Sequence, residues 1–250
     1  MAEGKDTYDD QDRPLLAHLL ELRSRLIRTL LVILVIFLAI YPFREPLYTL
    51  LAGPLRKALP EGATMIATQV ATPFLVPLKL ALVAAFFVSV PYVLYQLWSF
   101  VAPGLYRHER RLVVPLMVAS SALFYLGMAF SFFVVFPLVF AFFSAATPEG
   151  VAMMTDINEY LSFVLMLFFA FGAAFQVPVA TILLVYTGAT TKQALAAKRP
   201  YVIVGAFVVG MLLTPPDIIS QVLLAVPVWL LFELGVIFSA YFVRRPREAE

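Results

Sequence analysis

The stretch PGLYRHERR, residues 103–111, is a charged island between two of the longest apolar runs in the chain, 73–101 and 112–146. If those runs cross a bilayer the island sits at a membrane face, so their reading decides the fold. Both are rich in Phe, Leu and Val and nearly free of charge, and neither alternates, which is the pattern of spanning helices and not of barrel strands. Helices also satisfy their own backbone hydrogen bonds in lipid. Over all 250 residues, 62% are hydrophobic and 14% charged, where a soluble protein carries about a quarter charged. The expectation is an all-α integral membrane protein.

Working outward, one membrane domain with six transmembrane helices is expected, spanning about 27–41, 73–101, 112–146, 157–186, 201–213 and 218–243. Residues 1–11 are polar and acidic and are expected to be disordered. They do not resemble the basic start of a cleaved signal peptide, so the first apolar run is kept as a permanent span. Asp12 can cap a helix with Pro14 in its first turn. Leu15, Leu19, Leu22 and Leu26 then share one face and His18, Glu21, Arg25 and Arg28 another, which predicts an amphipathic surface helix over 12–26 running into the first span. Leu47, Leu50, Leu51, Leu55 and Leu59 predict a short helix on the outer face. The runs 73–101 and 112–146 exceed the roughly 20 residues a bilayer needs, so their outer ends should join that helix in a small cap. Lys79 would snorkel at the outer interface, and the second run would tilt, kink at Pro137 or project. The run 201–213 is short, a mismatch met by bilayer thinning or by shielding within the protein.

Six spans place both termini on one side. That side carries Lys5, Arg13, Arg23, Arg25 and Arg28, then Arg107, Arg110 and Arg111, then Lys192, Lys198 and Arg199, and finally Arg244, Arg245 and Arg247, 14 of the 18 basic residues. The other side has Arg44, Arg56, Lys57 and Lys79, so the positive-inside rule makes both termini cytoplasmic. The island is then cytoplasmic too, its arginines fixing orientation and meeting anionic membrane lipid.

Hydrolytic chemistry finds no support. His18 and His108 both fall in surface segments, HExxH and GxSxG are absent, and GATTK at 188–192 lacks the spacing of a phosphate loop. There is no cysteine for a disulfide or thiolate site. An enzyme is not expected, nor a cofactor, a metal or a nucleic-acid partner.

What remains are carboxylates and amides in costly places. Glu21 and Glu109 share the cytoplasmic face; each has a plain reading, Glu21 as an i,i+4 pair with Arg25 and Glu109 as a solvated loop residue. Together they could each take a guanidinium of a ligand in bidentate fashion. Gln176 and Glu233 each lie 11 residues from the cytoplasmic end of their spans, about 16 Å along a helix, and could meet at similar depth. For Gln176 the alternatives are an interhelical hydrogen bond or ligand contact; for Glu233 they are structural or functional. Asp217 is placed either to cap the last span or to act in the outer turn. An ion-coupled small-molecule transporter would use Gln176, Asp217 and Glu233 as pathway residues, but no internal repeat links the first three spans to the last three.

The stretches HLLELRSRL (18–26), ATMIAT (63–68), YQLWSFVAPGLYRHERRLVVP (95–115) and KRPYVIVGAFVVGMLLTPPD (198–217) closely resemble the TatC family, the multispanning subunit of the twin-arginine protein translocase. The resemblance implies a receptor for the twin-arginine signal peptides of folded substrates in the bacterial inner membrane, driven by the proton-motive force without ATP. It implies assembly with the single-span subunits TatA and TatB and self-association in a larger complex. Glu21, Arg23, Phe100 and Glu109 match the family's signal-recognition motif, Pro54 a sensitive outer-loop proline, and Asp217 an outer-loop aspartate. Met211, Thr214 and Gln221 match a partner-docking surface on the last two spans. In AFGAAFQVP (170–178) this chain has Gln176 where many members carry glutamate, and an amide cannot titrate.

Overall fold

Nothing between Pro14 and Pro42 breaks a helix, and Asp12–Ile40 forms a single one, α1, of 29 residues and about 43 Å. The structure, a computed structural model, describes residues 12–58, 65–101, 113–147, 154–213 and 218–242. The acidic tail 1–11 and the island 103–111 lie outside them. The helix expected over 12–26 runs into the apolar run as one element, there being no proline or glycine between them.

A short 3-10 turn, Tyr41–Phe43, leads into α2 (Arg44–Ala58). Then come α3 (Thr72–Val101), α4 (Val113–Phe130), α5 (Phe136–Ala146), α6 (Ile157–Ala174), α7 (Val177–Tyr186), α8 (Lys192–Ala197), α9 (Arg199–Leu213) and α10 (Ile218–Phe242). Among the described residues, five stretches are long and apolar enough to cross a membrane: Leu19–Gly53, Thr72–Phe100, Val114–Ala146, Ile157–Tyr186 and Gln221–Ser239. The remaining apolar helix, α9, has 15 residues and rises only about 22 Å against roughly 30 Å of hydrocarbon.

Prolines mark the two interruptions. Ser131–Val135 forms a π turn between α4 and α5, immediately before Pro137, whose ring would otherwise meet the carbonyl four residues back. Between α6 and α7 the chain tightens at Phe175 and Gln176, ahead of Pro178.

The main core lies among α3, α4, α5 and α6, where Phe87, Phe124, Phe136, Phe140, Phe168 and Phe171 are buried. Their rings meet mostly tilted or edge-on, as for Phe87 and Phe168 at 5.9 Å. Leu51 of α2 covers one end, and Tyr160 donates from α6 to its carbonyl at 2.7 Å. A second, smaller cluster joins α7, α8 and α10 through Val185, Leu195, Phe232 and Val236. Lipid gives helices no hydrophobic drive to associate, so close backbone approach matters. A Cβ on Gly127 would lie 2.5 Å from the Phe171 carbonyl oxygen, one on Gly172 2.6 Å from the Phe124 ring, and one on Gly235 would collide with Thr181. These positions set the α4–α6 and α7–α10 contacts.

At the end of the bundle where α6 begins, Ile66 makes a parallel bridge to the residues before α6: its N–H donates to the Thr155 carbonyl and its own carbonyl accepts from Ile157. This ties the α2–α3 connection to the start of α6. Lys79 reaches Ser162 Oγ at 2.7 Å at the same end.

Candidate functional site

α1 and α3 pack side by side, bringing Glu21 to the last turns of α3 at the end of the bundle opposite Lys79. Arg25 lies one turn from Glu21 and donates to its Oε1 through Nε at 3.0 Å and a terminal nitrogen at 2.6 Å. The plain i,i+4 pair expected from the sequence is therefore present. It does not stop there: Arg25 also donates to the Ser99 carbonyl at 3.2 Å and, at longer range, to the side chain and carbonyl of Gln96 at 3.3 and 3.4 Å. Gln96 is buried and its amide is held in turn by donating to Tyr92 Oη at 2.7 Å. A pocket of about 330 Å³ opens here, lined by Glu21, Ser24, Arg25, Arg28, Tyr95, Gln96 and Ser99. The Glu21 side chain is 40% exposed, so its carboxylate is reachable from the pocket.

Arg23 is exposed on α1, and Phe100 is half-buried next to Ser99. Glu109 lies outside the described residues, as do Thr214 and Asp217. Pro54 falls within α2.

Gln176 and Glu233 go to different partners. Gln176 donates through Nε2 to the Ser120 carbonyl at 2.9 Å, while its buried Oε1 has no partner among the described residues. Glu233 takes both Nε and a terminal nitrogen of Arg199, at 2.6 and 2.8 Å, a bidentate pair between α9 and α10. The expectation that the two could meet at similar depth is not realised as a contact: counting residues fixes height along a helix but not the direction a side chain takes. Met211 is exposed on α9, and Gln221 packs nearby, a Cβ on Gly210 falling 3.6 Å from its carbonyl oxygen.

The sequence did not single out Asp156. Its Oδ1 caps α6 by accepting from the N–H groups of Asn158 and Glu159, and its Oδ2 accepts from the hydroxyl and N–H of Thr68 at 2.7 and 2.9 Å. The Thr68 hydroxyl, then the Thr68 N–H, hold its carboxyl down to about 2. The signal was an aspartate three residues before Glu159 at the head of an apolar run. The contacts of Arg25 with Gln96 and Ser99, and of Glu233 with Arg199, were also missed, because contacts across 71, 74 or 34 residues leave no periodic trace. Among the described residues no cluster could hold a metal.

A family model described as Sec-independent protein translocase protein (TatC) matches residues 17–227. The chain belongs to the TatC family. The relative named Sec-independent protein translocase protein TatC in Azotobacter chroococcum is 61% identical over 240 residues, covering 96% of this chain and 94% of the relative. Its namesake in Escherichia coli K12 is 56% identical over 241 residues, covering 96% and 93%. A crystal structure of the twin arginine translocase receptor TatC superposes with a TM-score of 0.81 at 36% identity, over 91% of this chain and 100% of that one. As a member of TatC this chain is a multi-pass membrane protein, and the helical membrane class expected from its composition holds.

Proposed function

We propose that this chain is the receptor and core subunit of a proton-motive-force-driven translocase that recognises twin-arginine signal peptides and exports folded proteins across the bacterial inner membrane. Both termini and the Glu21 end face the cytoplasm, with α9 as the sixth span. Glu21, with Arg23, Phe100 and Glu109, receives the paired arginines. Met211, Thr214 and Gln221 form the docking face for single-span partners of the TatA and TatB type, and the chain acts without an enzymatic step of its own. The observation that carries this reading is the pocket beside Glu21, where a reachable carboxylate and α3 carbonyl groups already hold a guanidinium. Pathway chemistry through Gln176 and Glu233 is less well supported, because Arg199 already neutralises Glu233 and Gln176 is committed to Ser120. Cross-linking of a twin-arginine peptide tests the reading: Glu21→Ala with Glu109→Ala should abolish it, and unchanged capture would reject the proposal.

A further inference from the structure

Arg25 is held by more than its own helix. An i,i+4 pair explains the contact with Glu21, but the acceptors on Gln96 and Ser99 come from α3, 71 and 74 residues away. Ser99 is among the last four residues of α3, whose carbonyl groups have no donor within the helix and where the helix dipole favours a cation. The Gln96 amide is pinned by Tyr92, so its oxygen is in place independently of Arg25. One carboxylate oxygen, one amide oxygen and two backbone oxygens thus converge on a guanidinium, and they satisfy all three of its nitrogens. The guanidinium is more enclosed than its partner, at 21% exposure for Arg25 against 40% for Glu21. The space beside them, lined by Ser24, Arg28 and Tyr95, leaves room for a second chain to approach.

We propose that this cradle is the seat of one arginine of the ligand and that Arg25 occupies it in the free protein as an internal stand-in which the ligand must displace. The inference rests on the receptor reading above and adds Gln96 and the Ser99 carbonyl to the residues that touch the ligand. Displacement exchanges one guanidinium for another, so the charge in the cradle is unchanged. The hold on Arg25 is that of a partly exposed pair, weak enough to be released. Apparent affinity for the ligand is then reduced by the fraction of molecules whose cradle is open.

The test measures binding to the full chain in lipid nanodiscs with two probes, a twin-arginine peptide and methylguanidinium. If the cradle is open about a tenth of the time, Arg25→Gln tightens peptide binding roughly tenfold. It also gains saturable methylguanidinium binding that competes with the peptide. Arg28→Gln removes the same charge from the pocket wall without emptying the cradle, and should gain no methylguanidinium site. Arg25→Lys keeps the charge but cannot reach Glu21 and Ser99 together, and should fall between wild type and Arg25→Gln. Unchanged or weaker peptide binding by Arg25→Gln and Arg25→Lys, with wild type still binding, overturns the stand-in and makes Arg25 a positioning residue for Glu21. Equal binding of twin-arginine and twin-lysine peptides by wild type overturns the receptor reading instead.

Discussion

Gly235→Ala probes the packing that holds α7 against α10. A Cβ there would collide with Thr181 Oγ1 and lie 2.8 Å from Pro178 Cα. Thr181 is buried, and its hydroxyl is committed to the Pro178 carbonyl at 2.9 Å, while Pro178 is backbone in the first turn of α7. Neither yields easily, so overpacking should cost about 3 kcal/mol, the upper part of its usual range. Alanine's better helix propensity offsets at most about 1 kcal/mol, leaving a net loss near 2 kcal/mol. For a chain of this size that corresponds to a fall in melting temperature of roughly 4–8 °C. Thr181→Ala removes the nearest atom but not Pro178, so the double variant should recover only part of the loss, with a coupling of about 1 kcal/mol. Thermal unfolding in one defined detergent compares wild type, both single variants and the double. Gly205→Ala, inside α9 where a Cβ meets nothing within 4 Å, serves as control and should show the propensity gain alone, from neutral to about 1 kcal/mol stabilising. An unchanged melting temperature for Gly235→Ala, or strict additivity in the double, refutes the close approach.

Two further perturbations address the Asp156–Thr68 tie and the Arg199–Glu233 pair. Because the folded pKa of Asp156 is held down to about 2 from an ordinary 3.8, its contribution is complete above about pH 4 and is lost as pH falls towards 2. The stability gap between wild type and Asp156→Asn should therefore close over that window, and a gap independent of pH would contradict the Thr68 tie. Arg199→Gln leaves Glu233 without its cation and should destabilise more than the double variant Arg199→Gln with Glu233→Gln, by a margin that the half-exposed arginine keeps small. Additive losses in unfolding assays would show that the pair contributes nothing.

The helical membrane class was legible because it depends on summed composition, which no single contact overrides. Pro137 was legible as a place to tilt or kink, since a proline's missing N–H acts locally, but the break ahead of Pro178 was not expected, and Pro77, Pro91 and Pro227 lie inside helices, so proline alone does not say where regularity is lost. The length of α1 was legible too: the helical pattern over 12–26 was expected to run into the first span, and with no breaker before Pro42 the two form one helix. Glu21 was legible as a candidate and Arg25 as its neighbour, yet the Gln96 and Ser99 acceptors were not, because α1 meets α3 only after the chain has folded back through α2. Glu233 was flagged as a costly carboxylate, while its partner Arg199 had been counted only as a topology signal.

On the proposed reading, the Glu21 end of this TatC-family chain recognises paired arginines. Equilibrium binding of a twin-arginine signal peptide to the purified chain in nanodiscs, beside the same peptide with paired lysines, tests it most directly. A lysine is a point donor that cannot span two acceptors as a guanidinium does, so the twin-lysine peptide should bind at least about tenfold more weakly, and Glu21→Gln should erase that preference. Equal affinities for the two peptides, or a preference that survives Glu21→Gln, would contradict the account.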